Sequence, residues 1–96
     1  MRTIWKYALD DHSSRSRFDM PEGAELLHVQ AQGGFACVWA LVDPSKPPTP
    51  RGVVLFGTGH DIPDWPLPGA YIGTFQTGPF VFHAFEDLSC IERQNP

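Results

Sequence analysis

Residues 24–42, AELLHVQAQGGFACVWALV, decide the fold because they hold two strand patterns joined by a glycine turn. In the first half, AELLHVQA (24–31), alternation divides the side chains between two faces, with Leu27, Val29 and Ala31 on one and Leu26, His28 and Gln30 on the other. Gly33 and Gly34 follow, and glycine readily adopts the positive φ that tight hairpin turns demand. The stretch therefore predicts an antiparallel β-hairpin.

The returning strand of that hairpin, FACVWALV (35–42), is apolar on both faces. A strand of this kind is covered on both sides, so we expect it at the centre of the sheet. A short buried helix would also fit the run, but the preceding Gly-Gly turn and the following Asp43 and Pro44 favour a strand. Its core-facing side chains are predicted to be Phe35, Cys37, Trp39 and Leu41.

Outside the hairpin, five further segments read as short strands. They are TIWKYAL (3–9), RSRFDM (15–20), RGVVLFG (51–57), AYIGTFQ (70–76) and FVFHAFE (80–86). DPSKPPTP (43–50) contains four prolines, so we expect a stiff, exposed loop there rather than a helix or a central strand. The sequence predicts an all-β fold, a small antiparallel β-sandwich or barrel of six to seven short strands.

The length of the chain limits the number of domains, and its two cysteines and apolar segments indicate its environment. With 96 residues, we expect a single β domain over residues 1–88 and a polar C-terminal tail over 89–96. Cys37 and Cys90 are expected to be free thiols, Cys37 buried and Cys90 more accessible. There is no apolar run of membrane-spanning length and no signal-peptide core at the start, so we expect a cytoplasmic protein without a membrane partner.

Charge is distributed unevenly along the chain. Four of the seven Lys and Arg residues lie in the first 17 positions, and none lies between Gly52 and Glu92. The acidic residues of that second half are Asp61, Asp64, Glu86, Asp87 and Glu92. Such a segment is a poor match for a phosphate backbone, so we expect no direct nucleic-acid binding. It suits a partner with a basic surface, or else it is a solvated acidic surface that aids solubility.

Side chains of metal-binding type also occur in the second half, namely His60, Asp61, Asp64, His83 and Glu86. They lack the spacing that puts two ligands on one face of an element, so we expect no metal and no cofactor. The alternative for His83 is a ring packed among phenylalanines.

Two catalytic interpretations do not fit the residues that surround the motifs. The glycines of GTG (57–59) are followed by prolines instead of a helix, so the segment is not a phosphate-binding loop. Cys37 and His28 lie on neighbouring hairpin strands, but Cys37 is predicted to be core, whereas a catalytic thiol needs an exposed, electropositive site. We therefore expect no catalytic residues and no enzyme.

The stretch FGTGHDIPDWPLPG (56–69) is predicted to be a stiff recognition loop. Its prolines limit the entropy lost on docking, and tryptophan is the residue type most enriched among interface anchors. The predicted partner-binding residues are His60, Asp61, Asp64, Trp65, Glu86 and Asp87. In the alternative interpretation, Trp65 folds back as a lid over one end of the sheet.

Six stretches together resemble a family of short proteins of unknown function from bacteriophages and prophage-bearing bacteria. They are IWKY (4–7), MPEGAELLHVQAQ (20–32), WALVDP (39–44), FGTGHDIP (56–63), YIGTFQ (71–76) and FVFHAFE (80–86). The resemblance runs from Ile4 to Glu86; it implies a phage-associated origin but neither a reaction nor catalytic residues. RSRFDM (15–20) and the chain after Leu88 match it poorly.

Taken with the loop, the resemblance leads us to expect a non-enzymatic accessory protein of phage type that binds a host macromolecule in the bacterial cytoplasm. An inhibitor of a host defence system such as CRISPR is one form of this function, by analogy with other small phage proteins. A small-ligand-binding β-domain is an alternative, with His60, Asp61 and His83 lining a pocket at one end of the sheet or at an oligomer interface. Another is a structural or virion-assembly protein, and a homodimer is compatible with each.

Overall fold

Seven antiparallel strands form two sheets in the computed structural model, which describes residues 1–92. The strands are β1 (Thr3–Ala8), β2 (Arg15–Pro21), β3 (Glu25–Gln32), β4 (Phe35–Val42), β5 (Pro48–Gly57), β6 (Pro68–Thr77) and β7 (Phe80–Asp87), followed by one helical turn, α1 (Ser89–Glu92). The strand orders are β1-β4-β3 in the first sheet and β2-β5-β7-β6 in the second. The predicted all-β antiparallel fold is confirmed.

The hairpin of β3 and β4 forms as predicted, and β4 lies at the centre of the first sheet. Its turn uses Gly33 and Gly34, whose φ angles are 59° and 87°. A Cβ atom makes positive φ unfavourable. The two glycines therefore allow a turn that would be strained with most other residues.

The predicted faces of β3 are wrong at one point, because the pairing register shifts between Leu26 and His28. A bulge adds one residue to its strand and reverses the alternation on either side of it. Leu26 therefore packs against the core together with Val29, while Leu27 is exposed.

The core-facing side of β4 is the opposite of the predicted one. Val38, Ala40 and Val42 belong to the core, so alternation directs Cys37 and Trp39 to the outer surface of the sheet. Since β4 is apolar on both faces, its sequence alone did not distinguish them. Cys37 is still only 5% exposed, which confirms its predicted burial.

The core between the sheets consists of two adjoining clusters. The first contains Leu9, Val29, Val38, Val53, Phe75 and Ala84, and the second contains Met20, Ala24, Ala40 and Val42. Tyr7 and Phe18 pack against both clusters, with 5.2 Å between their ring centroids. These two rings join β1 of one sheet to β2 of the other.

The start of β5 contains prolines and is nevertheless a strand. A loop was predicted there, over residues 43–50. Residues 48–50 pair with β2, so the prediction is wrong for them. β7 pairs with β5 only from Val53 to Gly57. The proline-containing part of β5 therefore has a strand on one side only, which is where a residue without an N–H is tolerated in a sheet.

The segment after β7 folds onto the outer face of the second sheet. A Cβ on Gly52 would lie 3.1 Å from the Cβ of Cys90 and 3.2 Å from that of Asp87, so the glycine permits this close approach. Cys90 is a free thiol, as predicted, but it is only 3% exposed. The prediction that Cys90 is accessible is therefore wrong. Residues 93–96 of the predicted tail lie outside the described residues.

Candidate recognition surface

The outer face of the second sheet carries the candidate site. Val53 and Leu55 of β5 pack toward the core, so alternation directs Phe56 to the opposite side. Register pairs on this outer side are Phe56 with His83, Thr74 with His83, and Tyr71 with Phe85. The chain from 58 to 67, which links β5 to β6, contributes to the same side of the sheet.

His83 is bonded through both ring nitrogens. Its Nε2 lies 2.7 Å from Thr58 Oγ1, and its Nδ1 lies 3.0 Å from Thr74 Oγ1. Thr74 Oγ1 is also hydrogen-bonded to the hydroxyl of Tyr71. The resulting chain of hydrogen bonds holds the ring orientation and ties the first residue after β5 to β7.

Beside this network, His60 lies close to the end of β5. Its N–H donates to the carbonyl of Gly57, and a Cβ on Gly57 would lie 2.7 Å from His60 Nδ1. Gly59 has a φ of 83°, a conformation that glycine adopts without strain, so it permits the turn after β5. His60 and His83 line one depression of about 370 Å³, which Asp61 does not line.

Trp65 lies against a charged residue of β2. The Cζ atom of Arg15 is 4.2 Å from the centroid of the Trp65 ring, a cation–π contact. Arg15 Nε donates to Asp87 Oδ2 at 2.7 Å, and the backbone N–H of Ser89 donates to the other oxygen, Oδ1, at 2.9 Å. Trp65 is nevertheless 50% exposed. It is a supported side chain that still presents a large part of its surface to solvent.

The end of the loop is attached to the segment that follows β7. The N–H of Leu67 donates to Ser89 Oγ at 2.7 Å, and its carbonyl accepts from the N–H of Leu88 at 2.9 Å. A Cβ on Gly69 would lie 2.7 Å from Leu88 Cδ2, so the leucine side chain packs directly on that glycine. The loop is therefore fastened at Thr58, at Trp65 and at Leu67.

We call the exposed part of this loop the loop surface and define it by Asp61, Ile62, Asp64, Trp65 and Leu67. All five of these residues are exposed, and the three apolar ones each leave about half of their surface to solvent. The loop surface thus combines large apolar side chains with two carboxylates.

Of the predicted partner-binding residues, His60, Asp61, Asp64 and Trp65 lie together on this loop and are exposed. Glu86 and Asp87 do not join them. Glu86 Oε2 accepts from Arg51 Nε at 2.6 Å, and Asp87 is 4% exposed and paired with Arg15. These two acids therefore belong to the internal architecture of the second sheet.

Sequence reasoning missed Arg15 and Ser89, which support the loop. Arg15 is 72 residues from Asp87 and Ser89 is 22 residues from Leu67. Neither residue lies in a motif, so no local signal identified them.

Within residues 1–92, no group of three or more His, Cys, Asp or Glu side chains is placed to hold a metal ion. The expectation that the protein takes no metal and no cofactor stays a prediction. Among the same residues, no helical segment has the length and apolar character that crossing a membrane requires.

The fold and the surface define a class: small two-sheet antiparallel β proteins with a loop fastened across one outer face. Residues 1–94 match the family described as a domain of unknown function, DUF7352, and the chain belongs to that family. Comparison with curated proteins and with solved structures gives no match.

Proposed function

We propose that this protein acts by binding a macromolecular partner, without catalysing a reaction, and that the loop surface is where the partner docks. The observation that carries the proposal is Trp65, which is half exposed although Arg15 supports its ring. A tryptophan of the core would be covered by other side chains, whereas Trp65 is not. A tryptophan on an unsupported loop would lose conformational entropy when a partner docks, and the contact with Arg15 reduces that loss.

Preorganisation supports this role. The loop is held at Thr58 by His83 and at Leu67 by Ser89, so its backbone is ordered before any partner arrives. Binding then costs less conformational entropy than it would for a free loop. Tryptophan in such a setting is the typical interface anchor, whose truncation costs about 2 kcal/mol or more of binding free energy.

The charge of the loop surface supports a partner with a basic surface. Asp61 and Asp64 precede Trp65 in the loop surface, and no Lys or Arg occurs between residues 52 and 92. The nearby cation, Arg15, is paired with Asp87. We therefore propose a partner protein with a basic surface and not a nucleic acid.

The biological setting rests on the resemblance to short phage and prophage proteins. On that basis we propose that the partner is a host protein of the bacterial cytoplasm. Inhibition of a host defence system such as CRISPR is the activity to test first, by analogy with other small phage proteins.

The experiment is capture of partners from a bacterial lysate on the immobilised protein, followed by mass spectrometry. Trp65→Ala and the pair Asp61→Asn with Asp64→Asn should each lose the captured protein. Phe35→Ala is the matched control, because Phe35 is an exposed aromatic residue of the other sheet and should retain it. Equal capture by wild type and Trp65→Ala would contradict the proposal.

A second candidate is a small-ligand site in the depression that His60 and His83 share. The ordered hydroxyls of Thr58, Thr74 and Tyr71 give this depression hydrogen-bonding groups beside the ring of Phe85. Ligand-induced shifts of the His83 ring resonances, followed by NMR, would favour this candidate over macromolecular binding.

A further inference from the structure

A separate cavity opens at one end of the sandwich and shares no lining residue with the depression at His83. It lies where the β1–β2 loop, the β3–β4 turn and the β6–β7 turn meet, and its volume is about 480 Å³. Sites for small organic molecules typically measure about 300–1,000 Å³. The cavity therefore has the size of a ligand site.

The floor and one wall of this cavity are apolar. Leu9 and Phe75 are members of the main core cluster, and Leu55 packs against that cluster. Phe82 connects the floor to the wall, because its ring centroid is 5.7 Å from that of Phe75 and 6.3 Å from that of Phe80. Phe80 is 63% exposed, so the aromatic wall continues from the core to the mouth.

The mouth is polar and acidic. The β1–β2 loop lines it with Asp10, Asp11 and His12, and no Lys or Arg is among the lining residues. Asp10 Oδ1 accepts from the N–H of His12, and the N–H of Asp10 donates to Ser16 Oγ, both at 2.8 Å, which orders the loop. Within residues 1–92, neither Asp10 nor Asp11 forms an ion pair.

We propose that this cavity binds a small organic cation, a protonated amine carried on an aromatic or short hydrocarbon body. The body would lie on the phenylalanine wall, where ring contacts and apolar burial favour it. The ammonium group would sit at the mouth, where the carboxylates of Asp10 and Asp11 supply charge-assisted hydrogen bonds and the Phe80 ring a cation–π contact. This site is independent of the proposed macromolecular binding at the loop surface.

The test is an NMR titration of the ¹⁵N-labelled protein with 2-phenylethylamine, compared with neutral 2-phenylethanol and anionic 3-phenylpropionate. The amine should give saturable shifts at residues 9–14 and 77–82, and it should bind at least about fivefold more tightly than the alcohol. No saturation by about 10 mM amine, equal binding of all three probes, or shifts confined to the loop surface would overturn the proposal.

Asp11→Asn tests the charge at the mouth. It should weaken amine binding about fivefold and leave alcohol binding unchanged. Asp61→Asn is the matched control, because it removes the same charge from another exposed site and should leave amine binding unchanged. Equal weakening by the two variants would show an effect of net charge alone and would overturn the proposal. The amide spectrum of each variant reports whether it is folded.

Discussion

Arg15 joins Asp87 and Trp65: its Nε is 2.7 Å from the carboxylate oxygen of Asp87, and its Cζ is 4.2 Å from the centroid of the Trp65 ring. One guanidinium thus satisfies a buried carboxylate at the end of β7 and supports an exposed ring in the loop. Since Arg15 belongs to β2 and Asp87 to β7, the pair connects the two strands that flank β5 in the second sheet. The strength of this link and its effect on binding can be measured separately.

Asp87→Asn should lower the free energy of unfolding by about 3 kcal/mol, because it leaves the largely buried guanidinium of Arg15 without its counter-charge. Urea denaturation measures this. The matched control is Asp19→Asn, whose partner Arg17 is 3.7 Å away in an exposed pair and whose loss should cost less than about 1 kcal/mol. Equal costs for the two variants would show that the Arg15 pair is no stronger than a surface pair.

Trp65→Ala should leave the free energy of unfolding within about 1 kcal/mol of the wild-type value, because half of the ring is already exposed. It should weaken partner binding by about 2 kcal/mol or more. Thermal unfolding and calorimetric titration with the captured partner measure the two effects. Unfolding of the variant would instead identify Trp65 as a lid that the sheet requires.

Tyr7→Phe should raise the free energy of unfolding by about 1 kcal/mol. The Tyr7 hydroxyl is the one buried side-chain polar atom without a hydrogen-bond partner in the described part of the chain, and burying such a group is costly. Burial also raises the pKa of this tyrosine, since it disfavours the phenolate. Urea denaturation measures the change, and a loss of stability would reveal a partner for the hydroxyl.

Cys37 and Cys90 should both react slowly with a thiol reagent in the native protein, because both are buried. Burial also raises the pKa of the Cys90 thiol, which lowers the fraction of reactive thiolate near neutral pH. Thiol titration with and without denaturant measures the protection. Rapid labelling of Cys90 alone would mean that α1 detaches readily from β5.

Much of the strand content could be predicted from the sequence because it depends on local pattern. Gly33 and Gly34 mark the hairpin turn, and the fully apolar run 35–42 marks the central strand. The exposed loop around Trp65 was also recognisable, since prolines and polar residues interrupt the strand pattern there. Each of these features depends on residues that are close together in the sequence.

Only the tertiary structure decided which faces of the strands are buried and which charged residues pair with each other. The bulge at Leu27 reversed the faces of β3, and β4 used Val38 for the core because the opposite sheet covers that side. Asp87 became an internal partner because the fold brings Arg15, 72 residues away, to its carboxylate. Local sequence determines whether a segment extends or turns, but burial and ion pairing depend on contacts between segments distant in the chain.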